Sequence, residues 1–206
     1  MRTVLMALAL CTMTGCQPQP QQVSEPTAKE PSDMRTTVPL VRHFDPSGTE
    51  AIELDFDVAA QVNDPAPPVF IGIRIKGKDS DDAWSAYRRL RAADISAEVH
   101  LYRLQESRQV AVALERVQDK SRSEVEFITL APDGLVSGLT PADADVSTMK
   151  AAGLVAPGVE YLELKFAGAA NAPAGRYKAV VRLGQNSQML FDTNSELLIA
   201  YSHKGK

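Results

Sequence analysis

Ile52-Glu53-Leu54-Asp55-Phe56-Asp57-Val58 alternates apolar and acidic side chains without a break. Successive side chains of a strand point to opposite faces. This period of two therefore puts Ile52, Leu54, Phe56 and Val58 on one face and three carboxylates on the other. A helix would scatter both sets around its circumference. The stretch reads as a half-buried strand, and the same pattern recurs along the chain. Between Val69 and Lys76, residues Val69, Ile71, Ile73 and Ile75 point inward and Arg74 and Lys76 outward. Leu162, Leu164 and Phe166 share a face within Tyr161–Ala167. Tyr177, Ala179, Val181 and Leu183 do so within Arg176–Leu183. Antiparallel pairing of the first two strands would place Arg74 and Lys76 across from the carboxylates.

Further strands are predicted over Ile95–Leu104, Gln109–Val117 and Glu196–Tyr201, with a weaker one over Val125–Leu130. Val38–Val41 is a short apolar run interrupted by Pro39, which suits a sheet edge. Roughly seven to nine short strands separated by turn signals predict a mainly β fold, an antiparallel immunoglobulin-like β-sandwich. The tract Pro173-Ala174-Gly175-Arg176-Tyr177 ahead of an alternating strand is typical of late strands in such domains, and unrelated sandwiches share it. One or two short helices accompany the strands. Ser80 can cap a helix from Asp81 to about Ala93, with Asp81 and Asp82 in its first turn and Arg88, Arg89 and Arg91 towards its end, as the helix dipole favours. Thr140-Pro141-Ala142-Asp143 reads as a second helix start, with Gly153 as its stop. Pro132–Gly138 reads as a loop.

The N-terminus carries an address. Arg2 precedes an apolar run from Val4 to Cys11, which is a secretory signal in miniature. It is too short to span a bilayer, which takes about 20 apolar residues. Met13-Thr14-Gly15-Cys16 resembles the lipobox of bacterial lipoproteins, with Met13 where Leu is usual. The resemblance implies cleavage before Cys16, a diacylglycerol on its sulfur and acylation of the new amine. One acyl chain binds membranes only marginally, whereas two or three anchor stably. Gln17, rather than Asp, follows the cysteine. By similarity to sorted lipoproteins, this implies the outer membrane, facing the periplasm.

Three segments follow: residues 1–15 as signal peptide, 16–37 as the lipidated cysteine and a flexible tether, and 38–206 as the β-sandwich domain. The tether is rich in Gln, Pro, Ser, Thr and Glu, and would span about 25 Å on average. Removing residues 1–15 takes away one positive charge, Arg2, and lowers the net charge from −4 to −5. That sign argues against nucleic acid as a partner. The chain has two cysteines, Cys11 and Cys16. Only Cys16 survives cleavage, so no internal disulfide is expected and stability must come from apolar burial.

Ile52–Val58, Val69–Ile75, Tyr87-Arg88-Arg89-Leu90-Arg91, Ala97–Leu104, Gly175–Leu183 and Leu197–Lys206 together resemble a group of small proteobacterial lipoproteins that carry a single domain of unknown function. The resemblance implies an anchored, β-rich domain and brings no catalytic residue with it.

Chemistry is harder to find. His43, His100 and His203 are scattered without metal-ligand spacing, so no metal and no cofactor are expected. His100 shares a strand face with Glu98 and Tyr102. Gly134-Leu135-Val136-Ser137-Gly138 is only loosely like a nucleophile elbow, since its serine falls one place late. Glu53, Asp55 and Asp57 stand about 7 Å apart along one strand, a spacing that suits a solvated face better than a calcium loop. No catalytic residue is assigned. Trp84 and Tyr87, beside Arg88 and Arg91, form the candidate partner-binding surface, because Trp, Tyr and Arg dominate interface hot spots. The competing reading has both rings plugging the open end of the sandwich. The expectation is a membrane-anchored periplasmic protein-binding module without enzymatic activity, one form of which is an immunity protein against a delivered toxin. The alternatives are an assembly lipoprotein that contacts the cell wall, and a hydrolase whose pocket gathers Glu98, His100 or Ser137.

Overall fold

A computed structural model of the chain describes residues 32–45, 50–62, 64–121 and 124–203. The fold is mainly β: two antiparallel sheets packed face to face as a sandwich.

The chain begins with a 3-10 turn, Ser32–Met34, and strands β1 (Leu40–His43), β2 (Ile52–Val58) and β3 (Val69–Gly77). Helix α1 (Ser80–Ala92) leads into β4 (Ser96–Gln105), β5 (Arg108–Ala111), β6 (Glu115–Ser121) and β7 (Glu124–Thr129). Then come β8 (Leu135–Ser137), β9 (Thr140–Ala142), α2 (Val146–Ala151), β10 (Glu160–Ala169), β11 (Gly175–Leu183), α3 (Gln188–Asp192) and β12 (Glu196–Tyr201). The first sheet runs β1-β12-β3-β10-β6-β7, and the second runs β2-β11-β4-β5. In each sheet one strand edge is shared by two short strands: β10 receives β9 and β6, and β4 receives β8 and β5. The chain changes sheet three times here, between β5 and β6, between β7 and β8, and between β8 and β9.

The inner faces follow the alternation read from the sequence. Ile71, Ile73, Ile75, Leu164, Phe166, Leu197 and Ile199 of the first sheet meet Phe56, Val99, Leu101, Tyr177, Ala179 and Val181 of the second in one core. Phe56 and Tyr177 stack at 5.8 Å. The Tyr177 hydroxyl donates to the Pro173 carbonyl at 2.6 Å, a corner contact of the kind immunoglobulin-like sandwiches use. Fully burying a side chain such as Phe56 contributes roughly 1.5–3 kcal/mol, so this row accounts for much of the fold's stability.

Several expectations are corrected. β2 and β3 do not pair. They lie in different sheets, β2 pairing β11 at the edge of the second and β3 sitting inside the first. The carboxylates of β2 therefore meet Lys178 and Arg176 of β11, with Asp55 3.2 Å from Arg176. The helix cap is Asp79, not Ser80: its carboxylate accepts from the Asp82 amide at 2.8 Å. The run Gln109–Val117 is not one strand but the end of β5, a crossing and the start of β6. Within the predicted loop Pro132–Gly138, β8 pairs β4. Thr140–Ala142 is a strand rather than a helix start, and α2 begins only at Val146, capped by Asp145. A third helix, α3, lies between β11 and β12, beyond the one or two that the sequence predicts. Residues 32–37, assigned to the tether, touch the domain: Thr36 accepts from the Asp57 amide at 2.7 Å.

β3 is buried on both faces from Val69 to Ile75. Phe70 on its outer side joins Val41, Leu198, Ala200, Met149 and Leu154 in a second apolar cluster, so the segment around α2 lies over the outer face of the first sheet. β3 and β10 approach closely at Gly72, beside an irregularity in their register. A Cβ on Gly72 would meet the Leu164 carbonyl and come within 2.7 Å of the Lys165 Cα. Gly72→Ala is expected to destabilise the fold by about 1–3 kcal/mol, read as a lower urea midpoint at unchanged slope. An unchanged midpoint would contradict this packing.

Candidate partner-binding groove

Four strands of the first sheet bring a row of polar side chains across its outer face. His43 on β1 is opposite Glu196 on β12, Glu196 is opposite Arg74 on β3, and Arg74 is opposite Glu163 on β10. Arg74 is only 5 % exposed. Its Nε donates to Glu196 Oε2 at 2.8 Å, and its Nη2 donates to the same oxygen. Nη1 donates to the Leu154 carbonyl of the covering segment. The guanidinium also lies 4.6 Å from the centre of the Tyr161 ring, a cation–π arrangement. Removing one member of such a buried pair costs about 3–5 kcal/mol, because the survivor is left as an unmatched charge.

Arg74 is thus engaged by Glu196, and Glu163 is left over. The Glu163 backbone is paired in the sheet, but its carboxyl group makes no hydrogen bond or ion pair among the described residues. Burial pushes its carboxyl up to about 7 from an ordinary 4.5, and the nearby charges of Asp143 and Glu160 add to the effect while Arg74 opposes it. A carboxyl displaced so far in a cleft marks a candidate functional site.

That cleft is a groove of about 360 Å³ between α1 and the segment from β9 to β10. Its apolar lining comes from Trp84 and Tyr87 on α1, Val146 and Met149 on α2, and Val155, Val159, Tyr161 and Leu162 further on. Its polar lining is acidic: Asp143, Glu160 and Glu163, with no Lys or Arg. Trp84 and Tyr87 stand three residues apart on the helix, so their rings share a face and meet edge to face at 5.2 Å. Trp84 is 45 % exposed and Val146 is exposed too. Two of the large apolar side chains left open to solvent therefore line the same groove.

The residues singled out from the sequence divide. Trp84 and Tyr87 line this groove, and Tyr87 also rests against the core beside the fully buried Leu90, so plugging and display are combined on one helix face. Arg88 is exposed and not part of the lining. Arg91 lines a different cleft, with Arg116 and Ser137. Cys16 lies outside the described residues. Glu98, His100 and Ser137 do not converge. His100 Nε2 and Glu98 Oε1 are 3.0 Å apart and Glu98 also meets Arg182, whereas the Ser137 hydroxyl donates to Asp94 at 2.6 Å. Ser137 is opposite Ser96, four residues along β4 from His100, about 13 Å at the rise of a strand. Among the described residues no three His, Cys, Asp or Glu side chains gather as metal ligands, and no helix is long and apolar enough to cross a membrane.

Asp143, Glu160, Tyr161 and Glu163 were not picked out from the sequence. Their only signal there is the cluster Glu160-Tyr161-Leu162-Glu163 at a strand start, which reads equally well as a solvated face.

The raised pKa carries a stability consequence. The proton on Glu163 stabilises the fold fully below pH 4.5, and that contribution disappears as the pH rises through about 7. Above pH 7 the buried charge costs about 2–3 kcal/mol. Glu163→Gln should therefore raise the melting temperature by several degrees at pH 8 and leave it nearly unchanged at pH 5. Equal effects at both pH values would contradict the burial of this charge. No protein-family model, no curated protein and no solved structure matches this chain.

Proposed function

We propose that the chain is a lipoprotein of the bacterial envelope, held to the outer membrane through Cys16, whose sandwich domain binds a protein partner in the periplasm without catalysing a reaction. The observation that carries the binding half is the groove beside α1. Trp84 and Val146 leave exposed apolar surface together at one groove with a polar rim, and such a patch, unlike a single exposed side chain, marks an interaction site. Trp and Tyr are the residues most enriched where binding energy concentrates. The anchoring half rests on the stretch from Arg2 to Cys16 and the proline-rich residues that follow it. With residues 32–37 docked on the domain, a leash of about 15 residues after Cys16 would give it roughly 20 Å of reach from its bilayer, which suits contact with a periplasmic partner.

Two measurements test the two halves. Cells fed labelled palmitate should label the parent protein and not a Cys16→Ser version. Equal label in both, or a parent protein recovered from the cytosol, would contradict the anchor. For binding, envelopes solubilised in detergent are passed over the immobilised parent and a Trp84→Ala/Tyr87→Ala variant that retains its melting transition. A partner should be retained by the parent and lost at least tenfold by the variant, since truncating a hot-spot aromatic costs about 2 kcal/mol or more. The same proteins recovered in the same amounts by both would remove this groove as the binding surface.

A further inference from the structure

We infer that the groove beside α1 receives a lysine or arginine side chain of the partner, its aliphatic stem lying on Trp84 and Tyr87 and its charged head directed to Glu163. This rests on the protein-binding reading and names what the groove reads.

The groove is small, about 360 Å³, near the lower end of ligand pockets at roughly 300–1,000 Å³. It has room for one extended side chain. An apolar side chain would cover Trp84, Tyr87 and Val146 but would also cover the carboxylates, leaving Glu163 buried deeper and still unpaired. A carboxylate or phosphate would face three acidic groups and no cation. A long stem ending in a cation satisfies both parts of the lining: methylenes on the aromatic faces, as Lys and Arg stems lie along apolar surfaces, and a positive head among carboxylates and rings.

The charged groups around Glu163 settle which carboxylate is available. Arg74 faces it from β3 but is held by Glu196, and His43 reaches the other oxygen of Glu196 at 3.6 Å. Lys76 lies two residues beyond Arg74 on the same strand and is exposed, outside the lining. Lys165 lies two residues along β10, also outside the lining. Asp143 faces Glu163 from the segment after β9, and Glu160 from the start of β10. The two helices contribute Trp84, Tyr87, Val146 and Met149 to the groove and no charge. An incoming cation therefore meets an unbalanced negative site, and it removes the cost of ionising Glu163. With that carboxyl titrating at about 7, recognition should strengthen about tenfold from pH 6 to pH 8.

The chain has a single tryptophan, Trp84, so its emission reports the groove directly. The full chain in mild detergent is titrated with a blocked glycine peptide carrying one lysine, and with the same peptide carrying norleucine or glutamate. The lysine peptide should shift the Trp84 emission with a midpoint below about 10 mM at pH 8, about tenfold weaker at pH 6. The norleucine and glutamate peptides should leave it unmoved. Glu163→Gln, which keeps the groove's shape, should weaken the lysine peptide at least fivefold at pH 8 and abolish the pH dependence. Norleucine binding as tightly as lysine overturns the cation and leaves protein binding by the groove standing. No response to lysine, or a pH dependence that survives Glu163→Gln, overturns the inference whatever the capture experiment gives. A lysine response without any captured partner supports the groove's chemistry and counts against the broader reading.

Discussion

The guanidinium of Arg74 is the point on which the outer half of this molecule depends. It sits in the middle of the first sheet, on a strand whose residues are buried on both faces from Val69 to Ile75. Three elements meet there: β12 through Glu196, β10 through Tyr161, and the covering segment through the Leu154 carbonyl. A charge in that position is tolerable only because each of its three nitrogens donates to an acceptor. The arrangement also sets the chemistry of its surroundings. With Glu196 taking the cation's hydrogen bonds, the cross-strand neighbour Glu163 is left as a half-buried carboxyl without an ion-pair partner. The groove derives its sign from that imbalance.

The covering segment follows from the same strand. Phe70 points away from the sandwich core and would be exposed on an open sheet. Met149 and Leu154 cover it instead, with Ala144. Backbone bonds fasten the segment at its start, where the Asp145 amide donates to Tyr201 and the His203 amide to Asp143. The third layer is thus local. It lies over part of one sheet, and its margin against α1 forms the groove with Trp84. Function and packing share residues here: Tyr87 rests on the core and lines the groove at once.

The fold was largely legible because strand alternation is a strong signal wherever one face is buried. Ile52–Val58 begins and ends where the alternation does, whereas Glu196–Tyr201, buried on both faces from Leu197 onward, is legible as a short continuous apolar run. The signal failed where alternation carries no information. Gln109–Val117 reads as one strand because nothing in Val112–Leu114 announces a change of sheet. Thr140-Pro141-Ala142-Asp143 has the residues of a helix start, but Thr140–Ala142 pairs with β10 and the helix waits for the Asp145 cap. Pairing partners were misjudged for a related reason. The carboxylates of β2 and the cations of β3 look complementary, but Arg176 and Lys178 of β11 offer β2 the same charges, and β3 lies in the other sheet between β12 and β10.

The site was half legible. Trp84 and Tyr87 declare themselves by residue type and helical spacing. Glu163 does not, since a glutamate on the outer face of a strand is ordinarily solvated, and only the covering segment and the commitment of Arg74 to Glu196 make it otherwise. The most direct test is the carboxyl carbon resonance of Glu163, followed by NMR through a pH titration of the folded protein. An unpaired, half-buried carboxyl in the groove requires a midpoint near 7. A midpoint near the ordinary 4.5 would mean that the carboxylate is solvated or paired, and the groove would lose the imbalance on which its proposed role rests.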